Sequence, residues 1–185
     1  TDKLGEFGFA FVNVEPDFEL DEENATMALT INIDRAERNF VEEIRIVAND
    51  RTLDRVIRRR FELVEGDSFN QLKLTNSIRK IRNLGYFSNV TSRVLPGSTS
   101  DQSIIEVAVE EQATGNFSLG FGYSSVDDGS VQIGIEESNF LGSGRGVRAN
   151  VAVSGSKSNF RLGITEPYLW ERNLRGSLDV FRDEE

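Results

Sequence analysis

The stretch Phe117–Ser124 reads FSLGFGYS, and its alternation decides the fold of the second half of the chain. Successive side chains of a β-strand point to opposite faces, so residues two apart share a face. Here the large apolar residues fall on one face, and Gly or Ser falls on the other. The apolar positions are Phe117, Leu119, Phe121 and Tyr123. A helix does not produce a period of two, so the stretch predicts a strand with one apolar face.

Further segments with the same period follow this strand. They run from Val131 to Ile135, Val147 to Val153, Phe160 to Ile164 and Leu174 to Val180. The tripeptides Asp127-Asp128-Gly129 and Gly155-Ser156-Lys157 fit hairpin turns between them. Residues 113–185 are therefore predicted to form the first strands, about five in number, of an antiparallel sheet.

Such a sheet has two interpretations. It is either a soluble sheet with one wet face or part of a transmembrane barrel wall whose apolar face meets lipid. Arg148 and Arg161 lie among glycines on the polar face, which suits a hydrated lumen. Aromatic residues recur in alternate turns, one hairpin apart, which favours an interfacial girdle of a barrel. The predicted girdle residues are Phe140, Tyr168 and Trp170.

The first half of the chain contains a repeat. Leu4-Gly5 recurs as Leu84-Gly85, and the same offset carries Pro16 to Pro96. Each copy predicts a strand, a Pro-containing turn and a second strand. Residues 1–36 are expected to be the closing hairpin of a first module.

The second copy is preceded by the rest of its module. A strand is predicted near Phe40–Ala48, and a helix over Leu53–Phe61 capped by Thr52. A second helix is predicted over Leu72–Leu84, where apolar residues recur at helical spacing until Gly85. The order strand–helix–helix–strand–strand fills residues 40–112 and makes an α+β module.

Composition excludes several classes of function. The net charge of −10 leaves no domain-wide positive field to attract a phosphate backbone, so no nucleic-acid partner is expected. Without His or Cys the chain has no Ser-His-Asp triad and no His- or Cys-ligated zinc. The acidic run Asp17–Glu23 lacks the glycine and the spacing of an EF-hand, so no metal is expected. No cofactor and no enzymatic activity are predicted.

No stretch has the roughly 18 apolar residues of a membrane helix, so membrane contact would use strands.

Six motifs in this order resemble the BamA family of outer-membrane assembly proteins. They are VIRR at 56–59, EGD at 65–67, LGYF at 84–87, TGNFSLGFGYS at 114–124, NFLGSG at 139–144 and EPY at 166–168. The resemblance implies a POTRA module of order βααββ, followed by antiparallel strands of an incomplete transmembrane β-barrel. It also implies an outer-membrane location with the POTRA modules in the periplasm.

The resemblance further implies a role in folding and inserting outer-membrane proteins. The implied partners are unfolded client proteins, periplasmic chaperones, BamD-like accessory lipoproteins and outer-membrane lipid. Accessory docking would involve Arg58, Arg59 and Glu65, although the family often has Glu where this chain has Arg60. Client strands would be templated on the first barrel strand, at Gly115, Phe117, Leu119, Gly120, Phe121, Gly122 and Tyr123. Gly120 and Gly122 are hypothesised to help this seam open, because glycine weakens side-chain packing in a strand.

Three alternatives remain at this point. Two of them, a TamA-like assembly factor and a two-partner secretion transporter, also join POTRA modules to a barrel. The third is a soluble periplasmic scaffold module that has no role in the membrane.

Overall fold

The computed structural model describes residues 14–21, 26–33, 38–125, 128–155 and 157–184. The start of the first repeat copy, Leu4-Gly5 included, lies outside these ranges, as do Asp127 and Ser156 of the two predicted hairpin turns. The strands are β1 (Val14–Asp21), β2 (Thr26–Ile33), β3 (Phe40–Val47), β4 (Phe87–Pro96), β5 (Gln102–Glu111), β6 (Gly115–Ser124), β7 (Asp128–Phe140), β8 (Arg145–Ser154), β9 (Ser158–Glu166) and β10 (Gly176–Glu184). The α-helices are α1 (Asp54–Arg58) and α2 (Gln71–Arg82). Neither of these helices is long and apolar enough to cross a membrane.

Strands β1 and β2 form an antiparallel hairpin with Phe18 opposite Leu29. Pro16 was expected in a turn, but it lies inside β1 opposite Ile31. A two-stranded sheet consists of edges only, so a proline there does not have to break a ladder on both sides. The alternation of Met27, Leu29 and Ile31 in β2 was predicted from the sequence, and these side chains are exposed.

Residues 40–112 adopt the predicted βααββ order, and their sheet has the strand order β3-β5-β4. Strands β3 and β5 pair in parallel, with Ile44 opposite Ile105. Among the described residues, the buried apolar side chains all belong to this module. They are Val41, Ile44, Val56, Ile57, Leu63, Phe69, Leu74, Ile78, Ile81, Tyr86, Phe87, Val90, Ile105, Val107 and Val109.

Local chemistry sets the bounds of the two helices. The side chain of Asn70 caps α2 by accepting a hydrogen bond of 2.9 Å from the Lys73 backbone N–H. Gly85 follows α2 with φ +73, a conformation that glycine adopts without strain. Helix α1 is shorter than predicted because the chain turns after Arg58. There, the Phe61 N–H bonds the Arg58 carbonyl three residues back, which is the tighter 3₁₀ spacing.

The remaining strands form one antiparallel sheet in the order β10-β9-β8-β7-β6. Its register places rows of like side chains across the strands. One row on the apolar face consists of Phe117, Ile135, Ala149, Leu162 and Val180. The adjacent row on the other face consists of Asn116, Glu136, Arg148, Gly163 and Asp179. The two-faced sheet was predicted from the alternation, and the large residues of its apolar face are exposed.

The chain divides into two compact units. The first comprises residues 1–47, 58–83 and 90–109, and the second comprises residues 48–57, 84–89 and 110–185. Arg58, Arg59 and Glu65 belong to the first unit. The segment 48–57 and the five-stranded sheet both belong to the second.

Candidate functional site

Strand β6 is the terminal strand of the five-stranded sheet. It pairs with β7 over its whole length, and the described residues provide no second partner strand. All ten of its residues are exposed. The side chains on its apolar face are among the most exposed of the sheet, up to 83% for Tyr123. An unpaired strand edge of this kind is a row of backbone donors and acceptors that another strand can use.

The direction of each backbone group in β6 follows from one hydrogen bond. The Ser138 N–H donates to the Thr114 carbonyl at 3.2 Å, and these two residues are opposite each other in the register that pairs Gly115 with Glu137. In an antiparallel ladder, residues that bond the partner alternate with residues that face away from it. The even-numbered residues of β6 therefore bond β7, and the odd-numbered residues present their N–H and C=O at the open edge.

This parity sorts the predicted templating residues into two groups. Gly115, Phe117, Leu119, Phe121 and Tyr123 present backbone groups at the open edge. Gly120 and Gly122 direct theirs toward β7 instead. Gly122 also packs closely, because a Cβ there would lie 2.7 Å from the Ser130 hydroxyl, whereas a Cβ on Gly120 would approach only the Gln132 Cβ, at 3.7 Å.

The polar face of the sheet holds an ion pair. The Arg148 Nη2 lies 2.6 Å from the Asp179 Oδ1, so the pair joins β8 to β10 across β9. Gly163 lies between them in the same row, and a Cβ there would meet the Arg148 side chain at 2.7 Å. Glycine at position 163 therefore leaves room for the Arg148–Asp179 ion pair on the polar face of the sheet.

The predicted girdle residues lie in the two turns at one end of the sheet. Phe140 ends β7 and is exposed, Tyr168 is partly buried, and Trp170 is 79% exposed. The sequence reasoning did not single out Leu141, which is exposed to 81%. Leu141 and Trp170 both have φ +53, a left-handed conformation that is strained for these residue types. Each turn thus presents one large apolar side chain from a strained backbone.

Two of the predicted docking residues, Arg58 and Glu65, lie at the outer edge of β3. The Glu65 carboxylate accepts a hydrogen bond of 3.1 Å from the Ile44 N–H and lies 3.3 Å from the Arg58 Nη1. Arg58 in turn donates to the Ile44 carbonyl at 3.0 Å. The side chains of Arg58 and Glu65 remain 42% and 50% exposed. Arg59 is more enclosed and also has interaction partners.

A second network was missed by the sequence reasoning. Asn139, at the end of β7, is buried, and its Nδ2 donates to the Thr52 hydroxyl at 2.9 Å. Its Oδ1 accepts a bond of 2.8 Å from the Gly144 N–H. Nearby, the Leu53 N–H bonds the Gly142 carbonyl at 2.9 Å. We call the Thr52–Asn139 pair the clasp, because it holds the turn 139–144 against the segment 49–53.

Glu111 fixes the Thr52 side of the clasp. Its two carboxylate oxygens accept bonds from the Thr52 N–H at 2.6 Å and the Arg51 N–H at 2.9 Å. Partial burial raises the pKa of Glu111, but the hydrogen bonds from Thr52 and Arg51 outweigh it and hold the pKa below its usual value of 4.5. The carboxylate is therefore ionised at neutral pH, in the state that accepts both bonds.

Comparison with known proteins identifies the class. Residues 40–112 match the family model described as POTRA, surface antigen variable number repeat. A putative outer membrane protein assembly factor of Treponema pallidum is 36% identical over 146 residues, covering 76% of this chain and 17% of that protein. The outer membrane protein assembly factor BamA of Buchnera aphidicola is 31% identical over 172 residues, covering 92% of this chain and 28% of that protein. The chain thus spans less than a third of the length of these relatives.

A solved structure extends the likeness to both halves of the chain. The crystal structure of BamA from Haemophilus ducreyi lacking POTRA domains 1-3 has a TM-score of 0.82 and 27% sequence identity. It covers 97% of this chain, which matches 34% of that one. A POTRA module followed by a two-faced antiparallel sheet defines an outer-membrane protein of the POTRA-plus-barrel class. Within that class the chain is a BamA-like segment, located in the outer membrane with its POTRA module on the periplasmic side.

Proposed function

We propose that this chain is part of the core subunit of the β-barrel assembly machinery, and that β6 templates the strands of client proteins. The observation that carries the proposal is the direction of the backbone groups of β6, whose odd-numbered residues point their N–H and C=O away from β7. In lipid an unsatisfied backbone group costs several kcal/mol, so an incoming strand gains stability by pairing with such an edge. Backbone pairing requires no fixed client sequence, which suits a machine with many clients. The relatives are named as assembly factors rather than as enzymes, which supports a non-covalent role.

The proposal is tested by removing one outward-facing N–H. Leu119→Pro removes a donor at the open edge and leaves the even-numbered residues that bond β7 unchanged, a position where a strand tolerates proline. Leu119→Ala shortens the same side chain and keeps the N–H, so it is the matched control. Both variants are made in the intact protein, and insertion of a client barrel is followed in proteoliposomes. We expect the proline variant to slow insertion about tenfold, the size of effect that a lost buried hydrogen bond produces, and the alanine variant to stay near the parent rate. Equal rates for the two variants would contradict templating by the backbone of β6.

We also propose that Arg58, Arg59 and Glu65 form the docking surface for an accessory lipoprotein of the BamD kind. The support is the half-exposed Arg58–Glu65 pair, whose charges are held in place by backbone contacts to Ile44. A prepositioned pair loses less side-chain entropy on binding than two mobile side chains do.

Unfolded clients, periplasmic chaperones and outer-membrane lipid are the further partners that we propose. The girdle residues Phe140, Tyr168 and Trp170 would meet the lipid at the membrane interface.

A further inference from the structure

The clasp is connected to the base of the proposed templating strand. Glu137 lies opposite Gly115 in the β6–β7 register. Its Oε1 accepts a hydrogen bond from the Asn139 N–H at 2.8 Å and another from the Thr114 hydroxyl. One carboxylate oxygen therefore joins the clasp to the residue that precedes β6.

The same connection continues to Glu111 on the other side of the clasp. Glu111 holds the backbone of Thr52, Thr52 holds Asn139, and the Asn139 N–H and Thr114 meet on Glu137. The residues that follow Glu111, from Gln112 to Thr114, lead directly into β6. The Gln112 N–H bonds the Tyr86 carbonyl at 3.0 Å, so this short segment is held as well. All of these residues belong to one compact unit.

Such an anchor matters because a strand can slip in register. A shift by one residue would reverse the two faces of β6 and exchange the outward and inward backbone groups. A shift by two would keep the faces but move every backbone donor that a client strand has to match. Registers are specified weakly in glycine-rich strands, and β6 contains Gly115, Gly120 and Gly122. Its own side chains therefore resist slippage less than those of an ordinary strand.

We propose that Thr52 and Asn139 are positioning residues for strand templating: their hydrogen bond, held between Glu111 and Glu137, fixes the register of β6 on β7. The inference rests on the proposed function, because a fixed register matters to insertion only if β6 templates clients. It assigns a role to a threonine in the POTRA module that touches neither the client strand nor lipid. The two residues are 87 positions apart in sequence, so the anchor forms only in the folded protein.

The register can be read by disulfide formation between β6 and β7. Leu119 is opposite Ile133, so cysteines at these positions report the native register. Cysteines at Leu119 and Ile135 report a slip of two residues. This chain contains no cysteine, so the pairs are introduced into the intact protein after any other cysteine has been replaced. The ratio of the two cross-linked yields measures register, and a uniform loss of stability would lower both yields together.

The test compares three substitutions in each cysteine background. Thr52→Val removes the hydroxyl with little change in shape, whereas Thr52→Ser keeps it. Ser143→Ala removes a hydroxyl from the same turn that donates to the Phe140 carbonyl three residues back, so it is the matched control. We expect Thr52→Val to lower the native-to-slipped ratio about tenfold, because it leaves the buried Asn139 amide without its acceptor. Thr52→Ser should restore the ratio, and Ser143→Ala should not change it.

The outcomes separate this inference from the proposed function. An unchanged ratio in Thr52→Val overturns the inference, whatever happens to client insertion. A lowered ratio with client insertion at the parent rate establishes the anchor but overturns templating by β6. A lowered ratio with slowed insertion is the expected result. If Thr52→Val does not fold, Asn139→Ala is measured in the same way, and the same change in ratio is required of it.

Discussion

Gly142 is a residue at which the turn 139–144 approaches the segment 49–53 closely. Its φ of +67 lies in the left-handed region, and a Cβ there would collide with the Arg51 carbonyl oxygen. Two independent constraints therefore require glycine at this position. The carbonyl of Gly142 also accepts the Leu53 N–H, so the same residue both approaches and bonds the neighbouring segment.

Gly142→Ala should consequently destabilise the protein. The left-handed conformation alone costs a non-glycine residue about 1–2 kcal/mol, and the collision with Arg51 adds to that cost. The matched control is Gly129→Ala, because a Cβ on Gly129 meets nothing within 4 Å. The measurement is the temperature at which the intact protein in detergent loses its folded form, which is followed by its change of mobility on a gel. A transition temperature of Gly142→Ala that equals that of the control would contradict the assigned contact.

Asn139 shows which feature of a residue the sequence predicts and which it does not. The motif Asn139-Phe140-Leu141-Gly142 predicted a turn, since its glycine permits positive φ, and the structure has a turn there. The partner of Asn139 could not be predicted, because Thr52 is far away in sequence and its hydroxyl was interpreted as a helix cap. A buried Asn at a strand end is a signal that a partner exists, but no local period identifies it.

At the level of elements, the outer edge of β3 is covered by the chain that follows α1. The Val41 N–H bonds the Asp67 carbonyl at 2.9 Å, and the Gly66 N–H bonds the Val41 carbonyl at 2.7 Å. Further along the strand, Glu65 and Arg58 bond the two backbone groups of Ile44. An edge covered in this way is protected from pairing with another chain. Glu65 therefore has a structural contact beside its proposed role in docking.

Two substitutions at Glu65 separate these roles. Glu65→Gln keeps an oxygen acceptor for the Ile44 N–H but removes the negative charge. Glu65→Lys removes the acceptor and places a second cation beside Arg58. We expect both variants to weaken the complex with a BamD-like lipoprotein, measured by co-purification, and only Glu65→Lys to lower the unfolding midpoint of the module. An exposed ion pair contributes roughly 0.2–1 kcal/mol, so the glutamine variant should be nearly as stable as the parent. Binding at the parent level by Glu65→Gln would show that the charge does not contact the lipoprotein.

The elements differ in how far the sequence predicts them. The strands of the second half follow from a strict period of two, and the structure confirms all of them. Helix α2 is also confirmed, because Asn70 and Gly85 bound it chemically. Helix α1 ends earlier than predicted, because the chain turns after Arg58 and the Phe61 N–H bonds the Arg58 carbonyl. The Arg58 side chain bonds the Ile44 carbonyl of β3, a tertiary contact that no local pattern predicts.

For the whole molecule, the five-stranded sheet is the feature that determines location. Its apolar face extends over all five strands, and the large side chains on it are exposed among the described residues. The opposite face carries the Arg148–Asp179 ion pair. A soluble sheet covers its apolar face with another layer of structure, whereas a barrel wall presents it to lipid. The sequence left both interpretations open. The likeness to the solved BamA structure over 97% of the chain decides for the barrel wall.

Neighbouring residues on opposite faces of β7 provide the test of this orientation. Ile133 lies on the apolar face, opposite Leu119 and Val151, whereas Gln132 lies on the polar face, opposite Gly120 and Ala152. Arginine on the lipid face of a barrel costs about 2–4 kcal/mol near the middle of the bilayer, but substitutions that face the lumen cost little. Ile133→Arg should therefore lower the free energy of unfolding in lipid vesicles by that amount, while Gln132→Arg should remain within about 1 kcal/mol of the parent. The measurement is denaturant unfolding of the intact protein in vesicles, followed by the fluorescence of its tryptophan residues. The reverse order of the two variants would mean that the apolar face of the sheet does not meet the lipid.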